Sequence, residues 1–199
     1  MSTGLTKEEI ASVAAKGYSD PHFFCTFFLF EWFPLPMPWV HRGLLAILTR
    51  RCDFLLSFDE HYGEKELQKI IDNFTWKERP DDPQSPDHAI FTRTEVGLEM
   101  TLGRNTLVMM PRGISKTTLA NAVCIWYIEY QERKFPVYIS EAQTHASRQL
   151  TNVTTQLVTN QKLLAVFGNP RPEQRSGLTW SESEGVVQTT TGISIVAKG

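Results

Sequence analysis

The chain has 199 residues, an apolar fraction of 41% and a formal net charge of −2. This length suits one sizeable domain, or one domain with a small appendage, and the balanced charge excludes a broad basic surface, so any nucleic-acid contact must be local. The three cysteines (Cys25, Cys52 and Cys124) form no CxxC motif, which favours a reduced intracellular chain over a disulfide framework or a zinc site.

No stretch of the sequence predicts a signal peptide or a membrane span. The aromatic run between residues 23 and 40 is interrupted by Glu31 and three prolines, well short of the roughly 20 apolar residues that a spanning helix needs. We therefore expect no membrane partner.

Helical patterns dominate the first 76 residues. Thr6-Lys7-Glu8-Glu9 is a capping box, which marks the start of a helix. Four helices are predicted, over about residues 6–16, 20–33, 39–55 and 64–74. Aromatic side chains cover almost the whole circumference of the second helix, so we interpret them as buried core and not as a surface for stacking on bases.

A polar stretch with three prolines (Pro80, Pro83 and Pro86) is the best candidate for a domain boundary. We divide the chain there into an N-terminal helical region (1–76), a proline-rich linker (77–90) and an α/β region (91–199). In the α/β region, a helix over residues 92–102 comes first. Strands and helices then alternate, with strands at 105–110 and 135–140, helices at 116–133, 142–159 and 162–167, and a hairpin at 185–197. This alternation predicts a parallel sheet with crossover helices.

The segment between the first strand and its helix resembles a phosphate-binding loop. The pattern G-x-x-x-x-G-K-[ST] requires glycine where this chain has Met110 and Ser115, so the match is imperfect, although Gly113 lies inside the loop. The predicted nucleotide-binding residues are Pro111, Arg112, Gly113, Ile114, Ser115, Lys116, Thr117 and Thr118.

The strand, loop and helix order gives these residues a defined chemistry. Loop amides and the helix N-terminus attract phosphate oxygens, Lys116 reaches the β- and γ-phosphates of ATP, and the Thr117 hydroxyl is a ligand for Mg²⁺. The alternative is an ordinary turn in which Lys116 is a solvated residue. That alternative has the weakness that the helix dipole disfavours a cation in the first turn unless an anion is also present.

At this point the sequence resembles the N-terminal ATPase domain of phage terminase large subunits. The loop of that family contains an arginine and often lacks the first glycine. Further matches follow in order over residues 90–199: a strand that ends in Ser140-Glu141, then His145-Ala146, and Trp180 ahead of a hairpin. The family also has an asparagine followed by a pair of apolar residues and then Phe-Gly. This sequence matches that pattern with Asn160, Leu163, Leu164, Phe167 and Gly168.

The resemblance implies a P-loop NTPase fold (RecA/ASCE-like) in residues 91–199. It also implies a viral motor that couples ATP hydrolysis to the translocation of double-stranded DNA into a prohead. Arg112 is then the residue that senses the γ-phosphate. The implied partners are DNA, the portal protein, the small terminase subunit and other copies of the chain in a ring, and the implied location is the host cytoplasm.

The family also has an apolar strand that ends in paired acidic residues (Walker B), a catalytic glutamate and a nuclease domain. This sequence, up to Gly199, contains none of these. We therefore expect a truncated or split motor subunit that binds ATP better than it hydrolyses it. Two other functions remain open: another P-loop NTPase, such as a helicase-like motor or a small nucleotide kinase, and a non-catalytic assembly module.

Overall fold

A computed structural model describes residues 6–58, 64–79, 81–102 and 115–199 of the chain. The predicted strand at 105–110 and residues 111–114 of the predicted phosphate loop lie outside these described residues. Helices α1 (Lys7–Ser19), α2 (Pro21–Phe28), α3 (Trp39–Thr49) and α4 (Glu64–Asn73) come first, with a 3-10 helix (Asp53–Phe58) ahead of α4.

The sequence patterns located all four N-terminal helices, but they extended two of them too far. The capping box of α1 is confirmed, because Thr6 Oγ1 accepts a 3.2 Å bond from the Glu9 amide and the Glu9 carboxylate accepts a 2.7 Å bond from the Thr6 amide. Helix α2 ends at Phe28, five residues before the predicted end, and α3 ends where Arg50 adopts a left-handed conformation at φ 56°.

Two antiparallel pairs of strands follow, formed by β1 (Thr75–Lys77) with β2 (Asp87–Ala89) and by β3 (Phe91–Thr94) with β4 (Gly97–Met100). The helix predicted over residues 92–102 is therefore wrong. Thr92 and Thr94 are β-branched, and Gly97 has a φ of 154°, which favours a strand after a tight turn. The proline-rich stretch lies between β1 and β2, and the proposed division into domains stays a prediction.

The C-terminal part contains helices α5 (Lys116–Glu129), α6 (Gln143–Thr159) and α7 (Gln161–Phe167). It also contains a four-stranded sheet of β5 (Val137–Ile139), β6 (Trp180–Ser181), β7 (Val186–Gln188) and β8 (Ser194–Lys198), in the order β5-β8-β7-β6. The hairpin predicted over residues 185–197 is confirmed by the antiparallel pairing of β7 with β8.

The predicted fold class, a P-loop NTPase (RecA/ASCE-like) parallel sheet with crossover helices, is contradicted by these sheets. Among the described residues, only β5 and β8 pair in parallel, and the other pairs are antiparallel. The physical reason is the length of the connections. Short turns join β6 to β7 and β7 to β8, so these neighbours are antiparallel, whereas the only helical crossover in this sheet, α6 and α7, follows β5. The result is a small mixed sheet.

The N-terminal helices pack against α5, whose Trp126 is 1% exposed. The Trp126 indole donates a 3.0 Å bond to the carbonyl of Gly17, and the Tyr130 hydroxyl donates a 2.9 Å bond to the carbonyl of Ala14. Phe24 and Phe28 of α2 are fully buried, as predicted for core aromatics, but Phe30 is 49% exposed and Trp32 is half-buried beyond the end of the helix. The prediction that these aromatics form core is therefore confirmed only in part. No helix within the described ranges is long and apolar enough to cross a membrane.

Candidate functional site

Helix α5 begins directly after Ser115, whose φ of 50° and ψ of 28° lie in the left-handed region. Glycine adopts this conformation without steric cost, whereas other residues rarely do. Ser115 occupies the position of the second glycine in the phosphate-loop pattern. The residue differs from the pattern, but its backbone has the conformation for which glycine is normally used.

The N-terminus of α5 presents positive potential at this point. No side chain in the described part of the chain caps the helix, and its first turn contains no acidic residue. The first amides of a helix point outward with a partial positive charge, and Lys116 adds a full positive charge. An anion is the group that this arrangement stabilises.

A cleft of about 450 Å³ lies beside this helix end, between α5, β5 and α6. We call it the Lys116 cleft. It is lined by Lys116, Thr117, Ala120 and Asn121 from α5, Tyr138, Ile139 and Ser140 from the end of β5, and His145, Ala146 and Gln149 from α6.

Main-chain pairing fixes the position of the β5 side of the cleft. The Ser140 amide donates a 3.0 Å bond to the carbonyl of Lys198, and Ile139 stands opposite Lys198 in the parallel register. Gln143, the first residue of α6, donates a 3.1 Å bond from Nε2 to the carbonyl of Ala197. The cleft thus lies beside the carboxyl end of β5, which pairs in parallel with β8, and α/β proteins generally bind ligands at the carboxyl ends of their strands.

Two buried polar atoms border the Lys116 cleft without a hydrogen-bond partner among the described residues. One is Oδ1 of Asn121, a residue that is 3% exposed and whose Nδ2 donates a 3.0 Å bond to Oε1 of Gln149. The other is the Tyr138 hydroxyl, whose neighbour is the Cys124 thiol, a group that donates and accepts only weakly. Burial, and secondarily the adjacent Cys124 thiol, raises the pKa of Tyr138 far above its ordinary value, so the phenol stays neutral and can donate.

The described part of the predicted site falls on two sides of α5. Lys116 and Thr117 line the Lys116 cleft, whereas Thr118 lines a neighbouring cleft with Trp32 and Asn121. Residues 111–114, including Arg112, lie outside the described residues, so the role predicted for Arg112 stays a prediction.

The strand predicted to end in Ser140-Glu141 is β5, which ends one residue earlier at Ile139, and only one of these two residues reaches the cleft. Ser140 lines it, whereas Glu141 is exposed and its carboxylate lies 3.9 Å from Nδ1 of His145. Within the described ranges, no group of three or more His, Cys, Asp and Glu side chains could hold a metal ion.

Sequence reasoning missed Asn121, Gln149 and Trp32. For Asn121 a signal was available, because it stands four residues after Thr117 and residues at this spacing share one face of a helix. Gln149 reaches the site from α6 and Trp32 from the segment between α2 and α3, and no local pattern identifies either residue.

Comparison of the chain with protein-family models, with curated proteins and with solved structures finds no match. The resemblance to terminase large subunits therefore depends on the residues quoted above and stays a prediction.

Proposed function

We propose that the Lys116 cleft binds the phosphates of ATP with Mg²⁺. The observation that supports this most strongly is the junction of Ser115 and α5, where a left-handed residue leads into an uncapped helix that starts with Lys116 and Thr117. Phosphate oxygens at this point can accept hydrogen bonds both from helix amides and from an ammonium group. Such charge-assisted hydrogen bonds are stronger than neutral ones. The proposal needs this local geometry and does not need the sheet of a P-loop NTPase.

The roles of the side chains follow from their places. Lys116 is half-buried on the cleft wall and supplies positive charge for the terminal phosphates. Thr117 is exposed, and its hydroxyl is the group that would hold Mg²⁺ together with phosphate oxygens. Mg²⁺ commonly keeps several waters and is bound through substrate phosphates with one or two protein ligands, usually carboxylates. The described lining of the cleft has no carboxylate, so phosphates and water would supply the other ligands.

We further propose, from the resemblance, that the chain is the nucleotide-binding part of a DNA-packaging motor of the terminase type in the host cytoplasm. Its partners would be double-stranded DNA, the portal protein and the small terminase subunit, with further copies of the chain in a ring. The net charge of −2 provides no broad basic face, so we expect weak DNA binding that is lost as salt rises.

Binding and hydrolysis are separate expectations. None of the described residues that line the Lys116 cleft carries a carboxylate, the group that usually orients an attacking water. We therefore expect ATP binding by this chain to exceed its capacity for turnover.

Isothermal titration calorimetry with Mg-ATP tests the proposed binding. We expect Lys116→Ala to weaken ATP binding by about tenfold or more, because it removes a charge-assisted contact worth about 1.5–3 kcal/mol. Lys69→Ala, which removes an exposed lysine from α4, is the matched control and should leave the affinity unchanged. Equal affinity of the wild type and Lys116→Ala for Mg-ATP would show that the phosphates are not bound here.

A further inference from the structure

A second cleft of about 280 Å³ lies next to the Lys116 cleft, on the other side of the first turn of α5. We call it the Trp32 cleft. It is lined by Trp32, Thr118, Asn121, Asn152, Thr155 and Gln156. Asn121 borders both clefts, and Thr117 and Thr118 are consecutive residues that face one cleft each. The two clefts therefore adjoin at Asn121, and a ligand that occupied both would pass this side chain.

The chemistry of the two linings differs. The Trp32 cleft has no charged side chain in its described lining, but it has one indole, two hydroxyl groups and three amides. The flat face of an indole stacks on a nucleobase, and neutral amides and hydroxyls bond to the polar edge of a base or to a ribose. The cleft is near the lower end of the usual size range of ligand sites, about 300 Å³, which suits a nucleoside better than a larger group.

Among the side-chain amides of the two clefts, one buried oxygen has no hydrogen-bond donor in the described part of the chain. Gln156 Oε1 already accepts a 2.9 Å bond from Asn160, and Gln149 Oε1 accepts from Asn121. Asn121 Oδ1 is buried at the shared wall and accepts no bond within the described part of the chain. A buried acceptor without a partner is costly, so a donor such as a base amino group or a ribose hydroxyl is the group that this wall favours.

We infer that the Trp32 cleft binds the nucleoside end of the nucleotide whose phosphates lie in the Lys116 cleft, an inference that rests on the proposed function. Trp32 comes from the segment between α2 and α3, so the N-terminal helical region supplies part of the ligand site. The region is then more than a packing partner for α5, because it selects a nucleotide over bare phosphate.

The test compares Mg-ATP with inorganic tripolyphosphate, which has the phosphates but no nucleoside. Trp32→Leu should weaken ATP binding by about tenfold, since stacking of a base on an aromatic ring contributes an effect of this order, and should leave tripolyphosphate binding unchanged. Trp39→Leu is the matched control, because Trp39 is also half-buried in the N-terminal region but lines neither cleft. It should change neither affinity.

A second variant covers the case in which Trp32→Leu does not fold. Thr155 is exposed on α6 and lines the Trp32 cleft, so Thr155→Trp should fill the cleft without disturbing the core. It should weaken ATP and spare tripolyphosphate, whereas Thr151→Trp, one turn earlier and also exposed, should do neither.

The outcomes separate the two proposals. If Trp32→Leu and Thr155→Trp leave the ratio of ATP to tripolyphosphate affinity at its wild-type value, the nucleoside site is wrong, even if Lys116→Ala weakens both ligands. If Lys116→Ala weakens neither ligand, the proposed phosphate site is wrong.

Discussion

Asn121 Nδ2 donates a 3.0 Å hydrogen bond to Oε1 of Gln149, and this bond joins α5 to α6 at the wall between the two clefts. Asn121 is 3% exposed, so its amide has no access to solvent if the bond is lost. The pair holds the two helices that form the opposite sides of the Lys116 cleft. Its strength should therefore appear in the stability of the whole chain.

Replacing Gln149 with leucine removes the acceptor and leaves the Asn121 amide buried and unpaired. We expect Gln149→Leu to lower the free energy of unfolding by about 1–3 kcal/mol, the usual cost of a buried polar group without a partner. Urea denaturation measures this change. Arg148→Leu, at an exposed position of the same helix, is the control and should alter stability by less than about 0.5 kcal/mol. Equal midpoints for the two variants would count against a structural role for the pair.

The left-handed conformation of Ser115 leads to an unusual expectation for a glycine substitution. Ser115→Gly relieves a backbone cost of about 1–2 kcal/mol, part of which is offset by the greater freedom of glycine in the unfolded chain. We expect the free energy of unfolding to stay the same or to rise slightly, and ATP binding to be retained. Ala120→Gly, inside the same helix, should instead lose about 1 kcal/mol. Comparable losses in both variants would mean that Ser115 is not strained.

Glu129 of α5 makes stability depend on pH. Its Oε1 is buried without a partner among the described residues, and burial raises the pKa of its carboxyl group from 4.5 to about 8. The folded chain therefore binds more protons than the unfolded chain between these values. The free energy of unfolding therefore falls as pH rises from about 4.5 to about 8, and it levels off above that.

Glu129→Gln should remove this part of the pH dependence. Relative to the wild type, the variant should gain stability as pH rises, and the gain between pH 5.5 and pH 8.5 should be on the order of 3 kcal/mol. Urea denaturation at pH 5.5 and at pH 8.5 gives the comparison. Parallel curves for the wild type and the variant would show that the carboxyl group ionises in the folded state as it does in the unfolded chain.

The hydroxyl of Thr117 should matter only when Mg²⁺ is present. Thr117→Val keeps the shape of the side chain but removes the proposed metal ligand, so ATP binding in the presence of Mg²⁺ should weaken several-fold. Binding of ATP in EDTA should be unaffected. Calorimetry under both conditions measures the difference. A loss of the same size with and without the metal would assign the hydroxyl to the phosphates or to packing.

Local signals in the sequence predicted several individual elements, although the fold class inferred from them was wrong. Thr6 and Glu9 form the expected capping box, and the helix that begins at Lys116 follows from its apolar pattern. Residues 92–102 were predicted wrongly as a helix. Leu98 and Leu102 are four residues apart, which fits a helix, but Leu98 and Met100 are two residues apart, which is the spacing of a strand buried on one face.

The sheet and half of the site could not be predicted from local patterns. Hydrophobic periodicity indicates that a segment is a strand but does not identify its neighbour, and the short turn before Ser194 makes β8 antiparallel to β7 while it pairs in parallel with β5. In the candidate site, Lys116 and Thr117 were predicted from a motif in which they are adjacent, and both line the Lys116 cleft. Gln149 bonds Asn121, and Trp32 lines the same cleft as Asn121, only because distant segments of the chain pack together, which no linear spacing encodes.

Hydrogen exchange with and without Mg-ATP tests the central claim, that nucleotide phosphates bind where α5 begins, most directly. We expect ATP to slow exchange at residues 116–121 and 138–146, because bound phosphates engage the first amides of α5 and hold the end of β5 and the start of α6. Lys116→Ala should abolish this protection at the same ATP concentration. ATP that binds the wild type and leaves exchange in both segments unchanged would contradict the claim.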